Sequence, residues 1–206
     1  RGINTGNSYN RVVLIFDNGT MGDGSANFTW LFDDIRLVPN MPLDLPLDFE
    51  SSPSTYPWFD FDGGNATTVA NPVSGGINTS ASVGKMVKNA GQVWGGSFLT
   101  LSSPMNFAAN KVFRMKVYSP RAGAKVLLKV ENSANSSQNY EKEVATTIAN
   151  AWEDLVFDYS GINTANSYDR IVLIFELGTM GDGSANYTFY FDDVRLTNTF
   201  PVQLPL

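Results

Sequence analysis

The chain has 206 residues, 14 Lys and Arg against 20 Asp and Glu, and a formal net charge of −6. That balance speaks against nucleic acid as a partner, since such binding rests on Lys and Arg against phosphate, and no apolar run approaches the about 20 residues that a membrane-spanning helix needs. Cys and His are both absent, which excludes disulfides and thiolate metal sites and removes the commonest general base.

The opening residues gain meaning from a later stretch. Gly2-Ile3-Asn4-Thr5 recurs as Gly161-Ile162-Asn163-Thr164, and the nine residues from Gly19 to Asn27 recur letter for letter from Gly178 to Asn186. The offset is 159 residues throughout, without a gap, up to Leu45-Pro46-Leu47 against Leu204-Pro205-Leu206. Such self-similarity is the signature of a repeat. Residues 1–39 are therefore expected to be the C-terminal strands of a preceding copy. Residues 40–46, rich in Pro, are expected to form a rigid linker. Residues 47–197 would be one complete module, and 198–206 the start of the next linker.

Within that module, short β-prone segments alternate with turn signals. Ala81–Val87 and Val93–Leu101 have strand character. Lys111–Tyr118 alternates, with Phe113, Met115 and Val117 on one face and Arg114, Lys116 and Tyr118 on the other. Lys125–Val130 sets Val126, Leu128 and Val130 on one face. Asn132–Asn139 has loop composition, and Tyr140–Thr147 and Trp152–Tyr159 follow as strands, with Trp152 in the core. Arg170–Phe175 is apolar on both faces, which predicts a central strand. Gly181-Asp182-Gly183-Ser184 has the composition of a hairpin turn. Tyr187–Leu196 closes the module. About ten strands at this spacing predict an all-β antiparallel two-sheet β-sandwich, tandemly repeated.

Leu47-Asp48-Phe49-Glu50, Trp152–Tyr159 and Tyr190-Phe191-Asp192-Asp193-Val194-Arg195-Leu196 resemble the opening strand, the Trp-led strand and the closing strand of β-jelly-roll carbohydrate-binding modules of the family 4 and 9 type, notably the tandem versions in secreted Bacteroidetes surface proteins. The resemblance implies a jelly roll, an extracellular or cell-surface location in a bacterium, and a polysaccharide partner. It also implies a structural Ca²⁺ held by Glu50 and one of Asp192 and Asp193. The chemistry agrees, because Ca²⁺ takes six to eight oxygen ligands. Side chains alternate along a strand, so one of the two Asp faces such a site. Asp33-Asp34 would repeat it in the first copy.

Sugars stack on flat aromatic faces, with amides and carboxylates meeting their hydroxyls. Trp58 and Tyr56 in Tyr56-Pro57-Trp58-Phe59, and Trp94 and Gln92 in Gln92-Val93-Trp94-Gly95-Gly96, are the candidate glycan ligands. Gly95-Gly96 would leave room beside the indole. The competing assignment makes each aromatic a core plug. No acid/base constellation fits catalysis: Glu141 and Glu143 fall on one outward face with Lys142 between them. The expectation is a non-catalytic module, repeated in tandem for glycan binding and adhesion. The alternative is a purely structural repeat of an extracellular filament or adhesin stalk, whose partners are neighbouring repeats or identical chains.

Overall fold

The structure, a computed structural model, describes residues 6–33, 35, 42–50 and 56–200. It divides into two compact units, Arg1–Asn40 and Met41–Leu206. Among the described residues, the larger unit holds ten strands in chain order: β1 (Phe59–Phe61), β2 (Gly64–Ala70), β3 (Ser82–Lys88), β4 (Gly96–Thr100), β5 (Val112–Tyr118), β6 (Lys125–Asn132), β7 (Asn135–Ala145), β8 (Trp152–Asp158), β9 (Arg170–Phe175) and β10 (Thr188–Thr197). They form two five-stranded sheets, ordered β1-β4-β9-β6-β7 and β2-β3-β10-β5-β8. Every pairing is antiparallel. The fold is an all-β sandwich.

Alternation fills the space between the sheets. Phe113, Met115 and Val117 of β5 face Val126, Leu128 and Val130 of β6 across one continuous core that also takes Leu99, Ile171, Leu173, Phe175, Phe189, Phe191 and Val194. Burying such a side chain is worth about 1.5–3 kcal/mol. Both sheets place one of the last two strands at the centre: β9 in the first, β10 in the second. The Gly181–Ser184 segment is thus part of a crossover between sheets, not a hairpin turn. Its local chemistry is still that of a turn, with Gly183 at φ 75° and the Asp182 carboxylate accepting from the Ser184 N–H at 2.8 Å.

Three further expectations are corrected. β7 starts at Asn135, inside the segment with loop composition, because Asn132 turns the chain by accepting from the N–H groups of Ala134 and Asn135. Of Val93–Leu101, only Gly96–Thr100 is strand. The opening segment is a single bridge, Leu47 to Val194, because Phe49 adopts a left-handed φ of 56° and leaves the extended path.

Residues of the expected linker are held by the module. Leu43 is buried, its N–H donates to Ser102 Oγ and its carbonyl accepts from the Ser102 N–H, both at 2.7 Å. The Asp44 carboxylate accepts from the Ser103 N–H at 3.1 Å. The Leu45–Pro46 peptide is cis. Residues 36–41 and 201–206, and Asp34 of the first copy's acidic pair, lie outside the described residues.

Gly84 of β3 shows how closely the core packs. A Cβ there would fall 2.5 Å from the ring of Phe191 and 2.6 Å from that of Phe49. Gly84→Ala is expected to destabilise the module by about 1–3 kcal/mol through overpacking, measured by urea denaturation. An unchanged midpoint would show that these rings yield freely.

A candidate glycan trough on the outer sheet face

The outward face of β1-β4-β9-β6-β7 is apolar where a solvated sheet face is ordinarily polar. Leu127 of β6 and Val172 and Ile174 of β9 form a second buried cluster, with Phe61, Phe98 and Leu177 packed against it. The same face carries Trp94, Lys129, Glu131, Glu141 and Arg170, which together line a trough of about 430 Å³. Phe59 stacks on Phe98 with ring centroids 4.8 Å apart. The Arg170 guanidinium lies over the other part of this aromatic surface, 4.4 Å from the Phe98 centroid.

The charges in the trough are paired. Lys129 Nζ meets Glu131 Oε1 at 2.7 Å, and Arg170 Nη1 meets Glu131 Oε2 at 3.5 Å. Arg170 Nε also donates to Thr100 Oγ1. Glu141 stands opposite Lys129 in the β6–β7 register. Two cations and two carboxylates leave no net charge along the floor.

Trp94 sits at one end of the trough, 48% exposed, its indole N–H donating to the Asp62 carboxylate at 2.8 Å. Two loops set it there. Asp62 and Gly63, both at positive φ, turn β1 into β2. The Asp62 carbonyl then accepts from the Gln92 N–H at 2.8 Å. Gly91 and Gly95 permit this closeness, since a Cβ on either would come within 2.2 or 2.3 Å of that carbonyl oxygen. Their role is thus close approach of backbone to backbone. Beneath the loop, Lys88 is fully buried and donates to three carbonyls: Val93 at 2.9 Å, Phe175 at 2.9 Å and Glu176 at 2.7 Å. Lys88 ties the residue before Trp94 to the end of β9.

The other candidate residues lie elsewhere. Tyr56 is buried, packs edge-on against Phe49 and accepts from the Phe49 N–H through its hydroxyl, so it is a core ring. Burial raises its pKa. Trp58 is half-buried and meets Phe191 edge-on at 5.7 Å, so it too belongs to the core. Neither lines the trough. Gln92 is exposed in the Trp94 loop. Trp152 is buried and donates to the Val73 carbonyl. The residues that sequence reasoning passed over are Phe59, Phe61, Phe98, Leu127, Lys129, Glu131, Arg170, Val172 and Ile174. The signal was present in Arg170–Phe175, whose second apolar face has no sheet across from it.

The acidic candidates separate. Asp193, at φ 51° beside a register shift, pairs with Arg195 and, at 3.4 Å, with Lys116. Asp192 is buried; its Oδ1 accepts from the Asp193 N–H, and its Oδ2 has no hydrogen-bond partner. Burial raises its pKa, against the pull of the nearby Ser80 and Asn78 side chains. Glu50 Oε1 accepts from the Ser82 N–H at 2.5 Å. So Asp192 and Glu50 both approach the Asn78–Ser82 segment, whereas Asp193 turns to cations. Among the described residues no group of three acidic, His or Cys side chains is arranged for a metal.

No protein-family model matches the chain, and no curated protein matches it in sequence. Solved structures do match in shape. One is a family 11 carbohydrate-binding module of the cellulosomal cellulase Lic26A-Cel5E of Clostridium thermocellum, at 12% identity and a TM-score of 0.53, covering 74% of this chain and 92% of that one. A second is a family 11 module from the same organism in complex with a β-1,3-1,4-mixed-linked tetrasaccharide, at 13% identity and 0.52, covering 76% and 94%. A third is an exo-β-agarase, at 11% identity and 0.57, covering 76% of this chain and 25% of the enzyme.

Lys88 provides a test of the site's construction. Burial lowers its pKa from 10.5 to about 8, and the Glu176 carboxylate opposes the shift. The unfolded chain therefore binds this proton more tightly, so the Lys88 contribution to stability rises between about pH 8 and pH 10.5 and is lost as pH falls through 8. Side-chain ¹⁵N NMR is expected to show its midpoint near 8; a midpoint at 10.5 would mean that the three carbonyls fully offset burial. Lys88→Met strips those carbonyls of their donor and is expected to cost about 2–5 kcal/mol. These comparisons and this geometry establish one thing together: the chain has the β-sandwich fold of carbohydrate-binding modules.

Proposed function

We propose that the module binds a glycan along the trough on the β1-β4-β9-β6-β7 face, without catalysis, as a unit of an extracellular or cell-surface protein. The observation that carries this is an open apolar floor, aromatic at one side, bordered by polar groups already held in place. Sugar rings present apolar C–H patches to such rings, and Trp94 and the Phe59–Phe98 pair offer them. Lys129, Arg170, Glu131 and Glu141 offer donors and acceptors to hydroxyls. Their balanced charge favours a neutral glycan over a polyanionic one. Among the structural neighbours, the family 11 module bound to a mixed-linked glucan tetrasaccharide has this general fold. Glu131 is committed to two cations, which suits ligand positioning and not proton transfer. Among the described residues no helix is long and apolar enough to cross a membrane.

Repetition in tandem would raise avidity along a polysaccharide. The second reading, a stalk whose function is reach, draws support from the docked linker. Leu43 and Asp44 bond to Ser102 and Ser103, so a preceding copy would be joined to this module by a short connection fixed at one end.

Affinity electrophoresis in gels containing neutral β-glucans tests the glycan reading. Retardation is expected for the full chain, with about tenfold or greater weakening in Trp94→Ala and in Phe98→Ala. Tyr56→Phe, remote from the trough, is expected to bind normally. Absence of retardation by any neutral glycan, with the chain folded, leaves the stalk reading.

We propose further that Ca²⁺ occupies the Asp192 pocket. A buried carboxylate oxygen without a hydrogen bond fits a cation, and Glu50 and Asn78 border the same segment. The remaining oxygens would come from backbone carbonyls. A chelator is expected to lower the melting temperature of the wild type by several degrees and to leave Asp192→Asn unmoved. An unaltered wild-type melting curve would dispose of the metal.

A further inference from the structure

The two outward carboxylates of β7 are used differently. Glu143 stands opposite Leu127 and pairs with Lys125 at 3.1 Å. Glu141 stands opposite Lys129, where a cross-strand ion pair is expected. Yet the Lys129 ammonium closes on Glu131 at 2.7 Å, and Arg170 approaches the same carboxylate at 3.5 Å. Glu131 thus draws both cations of the trough to itself. Lys142, next to Glu141 in the chain, sits over the Tyr140 ring at 5.4 Å. Glu141 is left with neither an ion pair nor a hydrogen bond among the described residues.

Glu141 nevertheless lines the trough, exposed on its β7 side. Of the two carboxylates in that lining, Glu131 and Glu141, only Glu141 has both oxygens open. The strand order β4-β9-β6-β7 puts three strand spacings, about 14 Å, between β4 and β7. Trp94 lies on the loop that leads into β4, at the far end of the trough. One sugar ring does not reach from the indole to Glu141. The ring that meets Glu141 is a further ring of a chain that stacks at Trp94, with Leu127, Val172 and Ile174 as floor between them.

An ionised carboxylate only accepts hydrogen bonds, and its two oxygens take two donors side by side. Two hydroxyls on adjacent carbons of a pyranose match it, each O–H donating to one oxygen. Linkage decides which rings offer such a pair. A 1,4-linked chain leaves O2 and O3 of every internal ring unlinked. A 1,3-linked chain spends O3 on the bridge, and its internal rings keep O2, O4 and O6, no two on adjacent carbons. We infer that Glu141 is a specificity-determining residue of the trough, and that through it the trough selects 1,4-linked over 1,3-linked neutral glycans. This rests on the reading of the trough as a glycan site.

The test is calorimetric titration of the full chain with cellohexaose and laminarihexaose, six β-linked glucose rings joined 1,4 and 1,3. The wild type is expected to bind cellohexaose about tenfold or more tightly than laminarihexaose. Glu141→Ala, at an exposed position of an edge strand, is expected to lose most of that preference and still to bind both sugars, because Trp94 and the apolar floor are untouched. Glu143→Ala removes the paired carboxylate and is expected to keep the preference. Equal binding of the two sugars by the wild type overturns the inference and leaves the glycan reading standing. So does a preference that persists in Glu141→Ala, which would place its origin in chain shape. Binding of neither sugar by the folded wild type overturns the inference, and absence of retardation by every neutral glycan removes the glycan reading with it.

Discussion

The module depends on two strands that arrive last and lie in the middle. β9 and β10 are the central strands of the two sheets, and each is bordered on both sides by strands made earlier in the chain. Without them β4 and β6 have no common neighbour, nor have β3 and β5. The core is divided the same way: Ile171, Leu173 and Phe175 face Phe189, Phe191 and Val194 across its centre. All of this is non-local contact, which local sequence prepares without completing. The described residues of the smaller unit share the turn geometry and ring contacts of the β9–β10 connection.

The trough is a consequence of the same arrangement. β9 is apolar on both faces because it serves two surfaces: Ile171, Leu173 and Phe175 enter the core, and Val172 and Ile174 form the trough floor. Lys88 fastens the two together. Its ammonium bonds the end of β9 and the carbonyl before Trp94, so the aromatic end of the trough is referenced to the central strand. A buried lysine is costly unless every donor is used. Here three donors meet three carbonyls, and a site-forming loop of Gly and polar residues gains a rigid attachment.

Much of the fold was legible in the sequence. Periodicity gave the core faces of β5 and β6 and the central place of β9. The strands β1 and β2 were not legible, because Asp60–Asn65, where they meet, has the composition of a turn and the turn proper is only Asp62-Gly63. Of the binding candidates, Trp94 lies in the trough and Tyr56 and Trp58 lie in the core. The three aromatics look alike in sequence, each beside turn-forming residues. What separates them is Phe191, which comes from the far end of the chain to cover Trp58, and Phe49, which the left-handed bend at its own position brings onto Tyr56. The Phe191 contact is not contained in any local pattern.

The pairing of Phe59, Phe61 and Phe98 shows where such information comes from. Phe59 and Phe61 share the three-residue β1, and Phe98 comes from β4. The antiparallel register sets Phe59 opposite Phe98 and brings Phe61 beside Gly96. Gly96 has room for no side chain: a Cβ would fall 2.5 Å from the Leu173 carbonyl oxygen. So β1 is drawn against β4, β4 against β9, and three scattered rings become one surface next to Val172 and Ile174. The aromatic surface is thus assembled by strand order. The same central strand that closes the core also places the floor on which a ligand would rest.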